Sequence, residues 1–339
     1  MPDDVKDITI IGGGPTGLFA AFYAGMRGMD VRIVDSLPDL GGQLTALYPE
    51  KHIFDVGGFP KVLARDLARQ LSAQALQFDP EVLLDEEVSA LEREDGHFVL
   101  RGRTGDWWSR SIVICAGKGA FEPKVLKVPG YQQFLHKGVH YAVRDPGTFE
   151  GRKVLVVGGG DSALDWALIL KDRCERLILA HRREGFRAHE KTVAEMRAAC
   201  EAGAMELWSY HEVREIHGGE RVDGVTVYDN RTDEDTRLDV DAVLTFLGFK
   251  PDLGPIKEWD LELAKNRVVV NHLMETNVAG VYAAGDIASY EGKLDLIATG
   301  FAEAAIAVNN AVHFVDPGAR VNPGHSTNMK VFKESRGTS

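Results

Sequence analysis

Cysteine is scarce in this chain. Only three occur among 339 residues, Cys115, Cys174 and Cys200, with no C-x-x-C pair and no His/Cys spacing suited to zinc. A disulfide-stapled scaffold is excluded, the thiols read as reduced structural groups, and no metal site is implied. Long apolar runs are missing too. Nowhere do about 18 apolar residues follow one another, and no basic segment precedes a hydrophobic stretch near Met1, so neither a membrane span nor a targeting segment is expected and the default location is cytoplasmic. Basic residues number 39 against 51 acidic ones, a formal net charge of -12 that argues against non-specific attraction to nucleic acid or anionic membranes. With 44% hydrophobic and 27% charged residues the chain is an ordinary globular protein, long enough for two cores.

Glycine, in contrast, is plentiful, 36 in all, and two clusters are ordered. An apolar run from Asp7 to Ile11 leads into Gly12-Gly13-Gly14-Pro15-Thr16-Gly17, followed by small and apolar residues from Leu18 to Ala24. This reads as strand, tight turn and helix. The pattern recurs from Lys153 to Val157, through Gly158-Gly159-Gly160-Asp161-Ser162-Ala163, to the run Leu164 to Leu170. A second strand follows each helix, at Val31 to Val34 and at Leu177 to Ala180. In such a unit Gly12 permits the turn, Gly14 lets backbone approach a pyrophosphate, Gly17 lets helix and strand pack, and the helix N-terminus supplies N-H groups and partial positive charge. Asp35, ending the second strand, is placed to accept hydrogen bonds from adenosine ribose hydroxyls.

The second copy ends differently, in His181-Arg182-Arg183-Glu184-Gly185-Phe186-Arg187. Guanidinium groups there suit a 2'-phosphate, which a carboxylate would repel, so Arg182, Arg183 and Arg187, with His181, point to NADP(H) in place of NAD(H). Ala163 in place of a third glycine fits the G-x-G-x-x-A form, with Gly158, Gly160, Asp161 and Ser162 completing that site. Elsewhere, Lys61 to Phe78 carries leucines at helical spacing and Val88 to Ile114 alternates as an antiparallel meander. Ala188 to Ala202 is expected as a helix, Leu207 to Leu247 as short strands, Val268 to Ile287 as strand, and Ala298 to Phe314 as a small-residue helix.

Two dinucleotide units in one chain suggest a bound flavin and a nicotinamide. The second glycine cluster, His181-Arg182-Arg183, Phe186-Arg187-Ala188 and the run Val281 to Asp286 resemble the thioredoxin reductase family. That family carries its redox C-x-x-C where this chain has Ala142 and Asp145, so the dithiol relay is absent here. The fuller resemblance, over essentially the whole chain, is to the thioredoxin-reductase-like ferredoxin (flavodoxin)-NADP+ reductases. It rests on Gly41 to Pro49, Phe54 to Pro60, Ala298-Thr299-Gly300-Phe301 with Ala307 to Asn310, and Asn322 to Thr327. It implies an α/β chain with two Rossmann-like, three-layer ββα domains, FAD bound by residues 1–119 and 248–339, and NADPH bound by 120–247. By the same resemblance Thr16, Asp35, Gln43, Val88, Phe121, Asp286 and Thr327 line the FAD site. Tyr48 and His325 are expected on opposite faces of the reacting ring. A homodimer, hydride transfer between NADP(H) and flavin, and single-electron transfer to ferredoxin or flavodoxin are also implied. A flavin reductase acting on quinone, a disulfide protein or oxygen, and a flavin redox sensor, remain open as alternatives. Ferredoxins are usually acidic, so docking is expected to use a local basic patch including Lys330, Lys333 and Arg336.

Overall fold

The computed structural model describes residues 4–143, 145–320 and 323–326. By packing, the chain divides into two compact units, Met1–Phe121 with Pro251–Ser339, and Glu122–Lys250. Each crossing runs as a short strand, Ala120–Pro123 and Phe249–Asp252, and the two pair as a ribbon. The division falls inside these strands, just beyond the borders at 119 and 247 expected from sequence.

In the first unit the strand Val5–Ile11 sits inside a seven-stranded sheet. It pairs in parallel with Val31–Val34 on one side and Asp106–Ile114 on the other, Ile10 lying opposite Ile33 and Val113. Glu81–Leu83 extends one edge, and Val281–Ala283 joins Asp106–Ile114 in parallel. Ile8, Ile10, Ile33 and Val113 have no exposed surface, as parallel strands covered on both faces require. The helices Pro15–Met26 and Ile297–Val315 lie against this sheet, and Pro15–Met26 packs against both Ile297–Val315 and Ala64–Ala75. The expected meander is present as Ala90–Glu94, His97–Arg101 and Asp106–Ile114, all antiparallel. Its first turn puts Asp95 and Gly96 at φ 50° and 83°, the left-handed pair that a tight hairpin needs.

Two sequence expectations are corrected here. The helix expected from Lys61 begins at Ala64, because Val62–Leu63 pairs as a strand with His52–Ile53. Val268 to Ile287 is not one strand: only Val268–Val269 and Val281–Ala283 join sheets, and Asn271 bends the chain between them by accepting from Leu273 and Glu275 N–H.

The second unit is built around a five-stranded parallel sheet, in the order Val139–His140, Ala242–Phe246, Lys153–Gly158, Arg176–His181, Glu206–Ser209. Side chains alternate across it. Val154, Val156, Leu177 and Leu179 face a core with Ala163, Trp166 and Met196 from the helices Asp161–Leu170 and Glu190–Glu201. Leu155, Val157, Ile178 and Ala180 face Val213, Val225 and Leu238 of the antiparallel sheet His211–Gly218, Val222–Asp229 and Asp235–Leu238. Helix, parallel sheet and antiparallel sheet make the three layers. Among the described residues, no helix is long and apolar enough to cross a membrane.

Candidate functional site

In the first unit, the glycine turn is shaped by near-contact of backbones. A Cβ on Gly17 would lie 1.8 Å from Gly12 O, so only glycine lets the helix start this close to the strand. The segment Gly41-Gly42 closes over the turn, Gly41 N–H donating to Gly13 O at 2.9 Å while a Cβ on Gly42 would lie 2.8 Å from Gly14 Cα. From the far end of the chain, Gly285 and Gly300 press on Thr16: a Cβ on either would lie 2.8 or 2.3 Å from Thr16 Oγ1. Gln43 Nε2 lies beside Gly117. Gly12, Gly14, Thr16, Gly17, Gln43 and the loop carrying Asp286 thus converge at two helix N-termini, those of Pro15–Met26 and Ile297–Val315.

Asp35 is buried at the end of its strand. Its Oδ2 accepts from Gly13 N–H at 2.5 Å and its Oδ1 from Leu37 N–H at 2.8 Å. Burial pushes its pKa up, and those two donors oppose the shift. The carboxylate therefore holds the glycine turn itself, a role the sequence did not disclose. Its main-chain oxygen accepts from Glu86 N–H at 2.9 Å, drawing in the segment that carries the buried Val88.

Tyr48 is half-buried, and its phenol is pushed up to about 12, first by burial and then by the charges of Asp286 and Asp55. Asp286 is itself raised by burial and by Asp295, with Lys118, Lys293 and Arg267 opposing. Lys118 Nζ stands 3.9 Å from Asp286 and 3.5 Å from Asp295, and Arg267 grips Asp295 through two 2.7 Å bonds. Behind Asp286 lies Glu303, missed by the sequence reading. It accepts from Gly285 N–H (2.7 Å), Tyr290 OH (2.6 Å) and Lys293 Nζ (2.6 and 2.8 Å), with only 3% of its side chain exposed. An acid amid the alanines of the last helix was the available signal. His325 is exposed and makes no hydrogen bond or ring contact with the described residues. The Phe121 side chain and Thr327 lie outside the described residues, as do Lys330, Lys333 and Arg336.

In the second unit, a Cβ on Gly158 would lie 2.7 Å from the Ala163 Cβ, whereas nothing lies within 4 Å of one on Gly160, the N-cap of Asp161–Leu170. The helix start is therefore open to a ligand, with Ser162 exposed in its first turn. The arginine loop is laced to this turn, Arg187 N–H donating to Gly159 O (2.8 Å) and His189 N–H to Asp161 Oδ1 (3.0 Å). The His181 ring lies against Gly159, stacks on Phe186 with centroids 4.7 Å apart, and places Nε2 3.1 Å from Gly185 O. Arg182, Arg183 and Arg187 are exposed, and none forms an ion pair with the described residues. Both turns fit the diphosphate of a dinucleotide: backbone N–H groups, room at the relevant glycine, and, in the second unit, uncommitted cations beside it. His189, which sequence gave no role, caps the next helix by accepting from Lys191 N–H.

Comparison with known proteins agrees with this geometry. The profile of the pyridine nucleotide-disulphide oxidoreductases matches residues 6–311. A Shouchella clausii protein named ferredoxin-NADP reductase 2 is 51% identical over 328 residues, 96% of this chain and 98% of its own. A Thermus thermophilus ferredoxin-NADP reductase is 49% identical over 328 residues with the same coverage. Among solved structures, T. acidophilum thioredoxin reductase superposes with TM-score 0.76 at 25% identity, covering 93% of this chain and 99% of that one. The fold is shared with Lactococcus lactis thioredoxin reductase, TM-score 0.76 at 24% identity, covering 91% and 99%. With two dinucleotide turns and a match along nearly its full length, the chain belongs to the pyridine nucleotide-disulphide oxidoreductase family, among the oxidoreductases named ferredoxin-NADP reductase.

Proposed function

We propose that the chain moves electrons between NADP(H) and ferredoxin, or flavodoxin, through a bound FAD, as a cytoplasmic homodimer. The observation that carries this reading is the likeness, at about half identity over 96% of the chain, to relatives named ferredoxin-NADP reductase. It is supported by what stands in place of a C-x-x-C: Ala142, and Asp145, whose carboxylate accepts from Gly147 N–H at 2.8 Å to cap a short turn. Without that dithiol, electrons leave toward an external acceptor.

When bound, FAD supplies what side chains cannot, acceptance of a hydride and release of single electrons. The residues of the first unit hold and orient it. Gly12, Gly14 and Gly17 admit the pyrophosphate to the helix N-terminus, and Asp35 offers its remaining lone pairs to the adenosine ribose. Thr16, Gln43, Val88 and Asp286 would line the rest of the cleft, with Phe121 and Thr327 assigned to it by the sequence resemblance alone. By the same resemblance Tyr48, a neutral phenol, would cover one face of the ring and His325 the other. The N-terminus of Ile297–Val315 favours negative charge near it. In the second unit Gly158, Gly160, Asp161, Ser162 and Ala163 take the NADP(H) diphosphate. Arg182, Arg183 and Arg187 clamp the 2'-phosphate, their loop stiffened by His181.

The test is anaerobic reduction of purified ferredoxin by NADPH, with NADH and ferredoxin-free controls. Fast, ferredoxin-dependent turnover that strongly prefers NADPH is expected. The Arg182→Ala/Arg183→Ala variant is expected to lose about 10- to 100-fold in kcat/KM for NADPH and little for NADH, the scale of charge-assisted phosphate contacts. Flavin bleaching by NADPH with no effect of ferredoxin would refute the acceptor assignment.

A further inference from the structure

Glu184 stands between Arg183 and Arg187, yet it forms no ion pair with any of the three loop arginines. Its Oε2 accepts instead from the hydroxyl of Tyr210, at 3.1 Å, reaching from the junction between the strands Glu206–Ser209 and His211–Gly218. Tyr210 is set for this. Its φ of 63° is a left-handed conformation that bulky residues seldom adopt. Its carbonyl accepts from Asn230 N–H at 2.8 Å, and the Arg231 guanidinium lies over its ring, 4.1 Å from the centroid. Arg231 is itself fixed by the Asp229 carboxylate through bonds of 3.0 and 2.6 Å. From the same turn Asn230 Nδ2 donates to Arg182 O at 3.0 Å. The antiparallel sheet thus grips the arginine loop at Glu184 and at the Arg182 carbonyl, leaving the guanidinium groups uncommitted.

We infer that Tyr210 and Asn230 are positioning residues for coenzyme specificity, holding the Glu184 carboxylate off the arginine cluster so that it accepts a 2'-phosphate. A carboxylate free to swing among three arginines would neutralise one and repel the phosphate, a penalty felt only by ligands carrying that group. This rests on the reading of the second unit as the NADP(H) site.

The experiment measures binding of 2',5'-ADP and of 5'-AMP to the holoenzyme by calorimetry. Tyr210→Phe removes the hydroxyl and keeps the ring under Arg231. It is expected to weaken 2',5'-ADP about threefold to fivefold, the scale of an exposed charge interaction, with 5'-AMP unmoved. The loss should shrink at high salt, and Tyr210→Phe/Glu184→Gln should bind 2',5'-ADP as well as Glu184→Gln alone. Asn230→Ala tests the second grip and is expected to weaken 2',5'-ADP selectively. Equal loss for both ligands, or a loss undiminished by Glu184→Gln, overturns the inference while the coenzyme reading stands. Equal wild-type affinity for 2',5'-ADP and 5'-AMP overturns both.

Discussion

Asp35 and Tyr48 each have a property beside the cofactor role expected of them, which for Asp35 comes from its spacing and for Tyr48 from the family resemblance. The position of Asp35 after a strand announced an acceptor for ribose, but its bonds to Gly13 and Leu37 N–H also brace the turn. No pattern in the neighbouring residues reveals that, because hydrogen bonds across a turn follow from the folded path of the chain. The Tyr48 phenol, pushed up to about 12 from 10.0, favours the native state fully below the unfolded value. That contribution is lost as pH rises from 10.0 to about 12, since the unfolded phenol ionises first. Tyr48→Phe has no such group, so urea midpoints at pH 9 and pH 11.5 should fall further in wild type than in the variant. Glu303 was legible only as an oddity, an acid in an alanine-rich helix, since its partners Lys293, Tyr290 and Gly285 lie in a preceding loop.

Among the elements, the two glycine-turn helices look alike in sequence and differ in how tightly they start. Gly17 faces a carbonyl at a distance no Cβ tolerates, so Gly17→Ala must push helix from strand, at about 1–3 kcal/mol for overpacking. A lower melting temperature and loss of the flavin colour on purification are expected. Gly160 faces open space, so Gly160→Ala should fold and keep its flavin while binding NADPH more weakly in a titration. Glu303 ties the last helix to Gly285 by accepting its N–H, and it pairs with Lys293, the two side chains being 3% and 6% exposed. Lys293→Met strands the carboxylate, at about 3–5 kcal/mol by denaturant melts, and the paired change Lys293→Met/Glu303→Leu should recover most of that. Helix and strand types were legible from hydrophobic period. The start at Ala64 and the break after Val269 were not, since pairing with His52–Ile53 and the Asn271 turn outweighed local pattern.

For the molecule as a whole, the two units differ in continuity. The cores of the second contain only residues between 126 and 247, whereas the core of the first joins Ile8 to Cys115 with Leu253 to Val312. The segment 122–250 expressed alone should therefore fold, judged by near-UV circular dichroism, and bind 2',5'-ADP. The segment 1–121 should not, because it lacks the strand Val281–Ala283 and the helix Ile297–Val315 that cover its sheet. The duplicated strand-turn-helix, the exchange of an acid for arginines after the second copy, and the absent thiol pair could all be read along the chain, because a diphosphate, a 2'-phosphate and a disulfide each demand particular residues at short spacing. The convergence of Thr16 with Gly285 and Gly300, the charge chain from Lys118 to Arg267, and the grip of Tyr210 and Asn230 on the arginine loop arise from segments far apart in sequence. Close packing fixes those partners, and packing has no short-range signature.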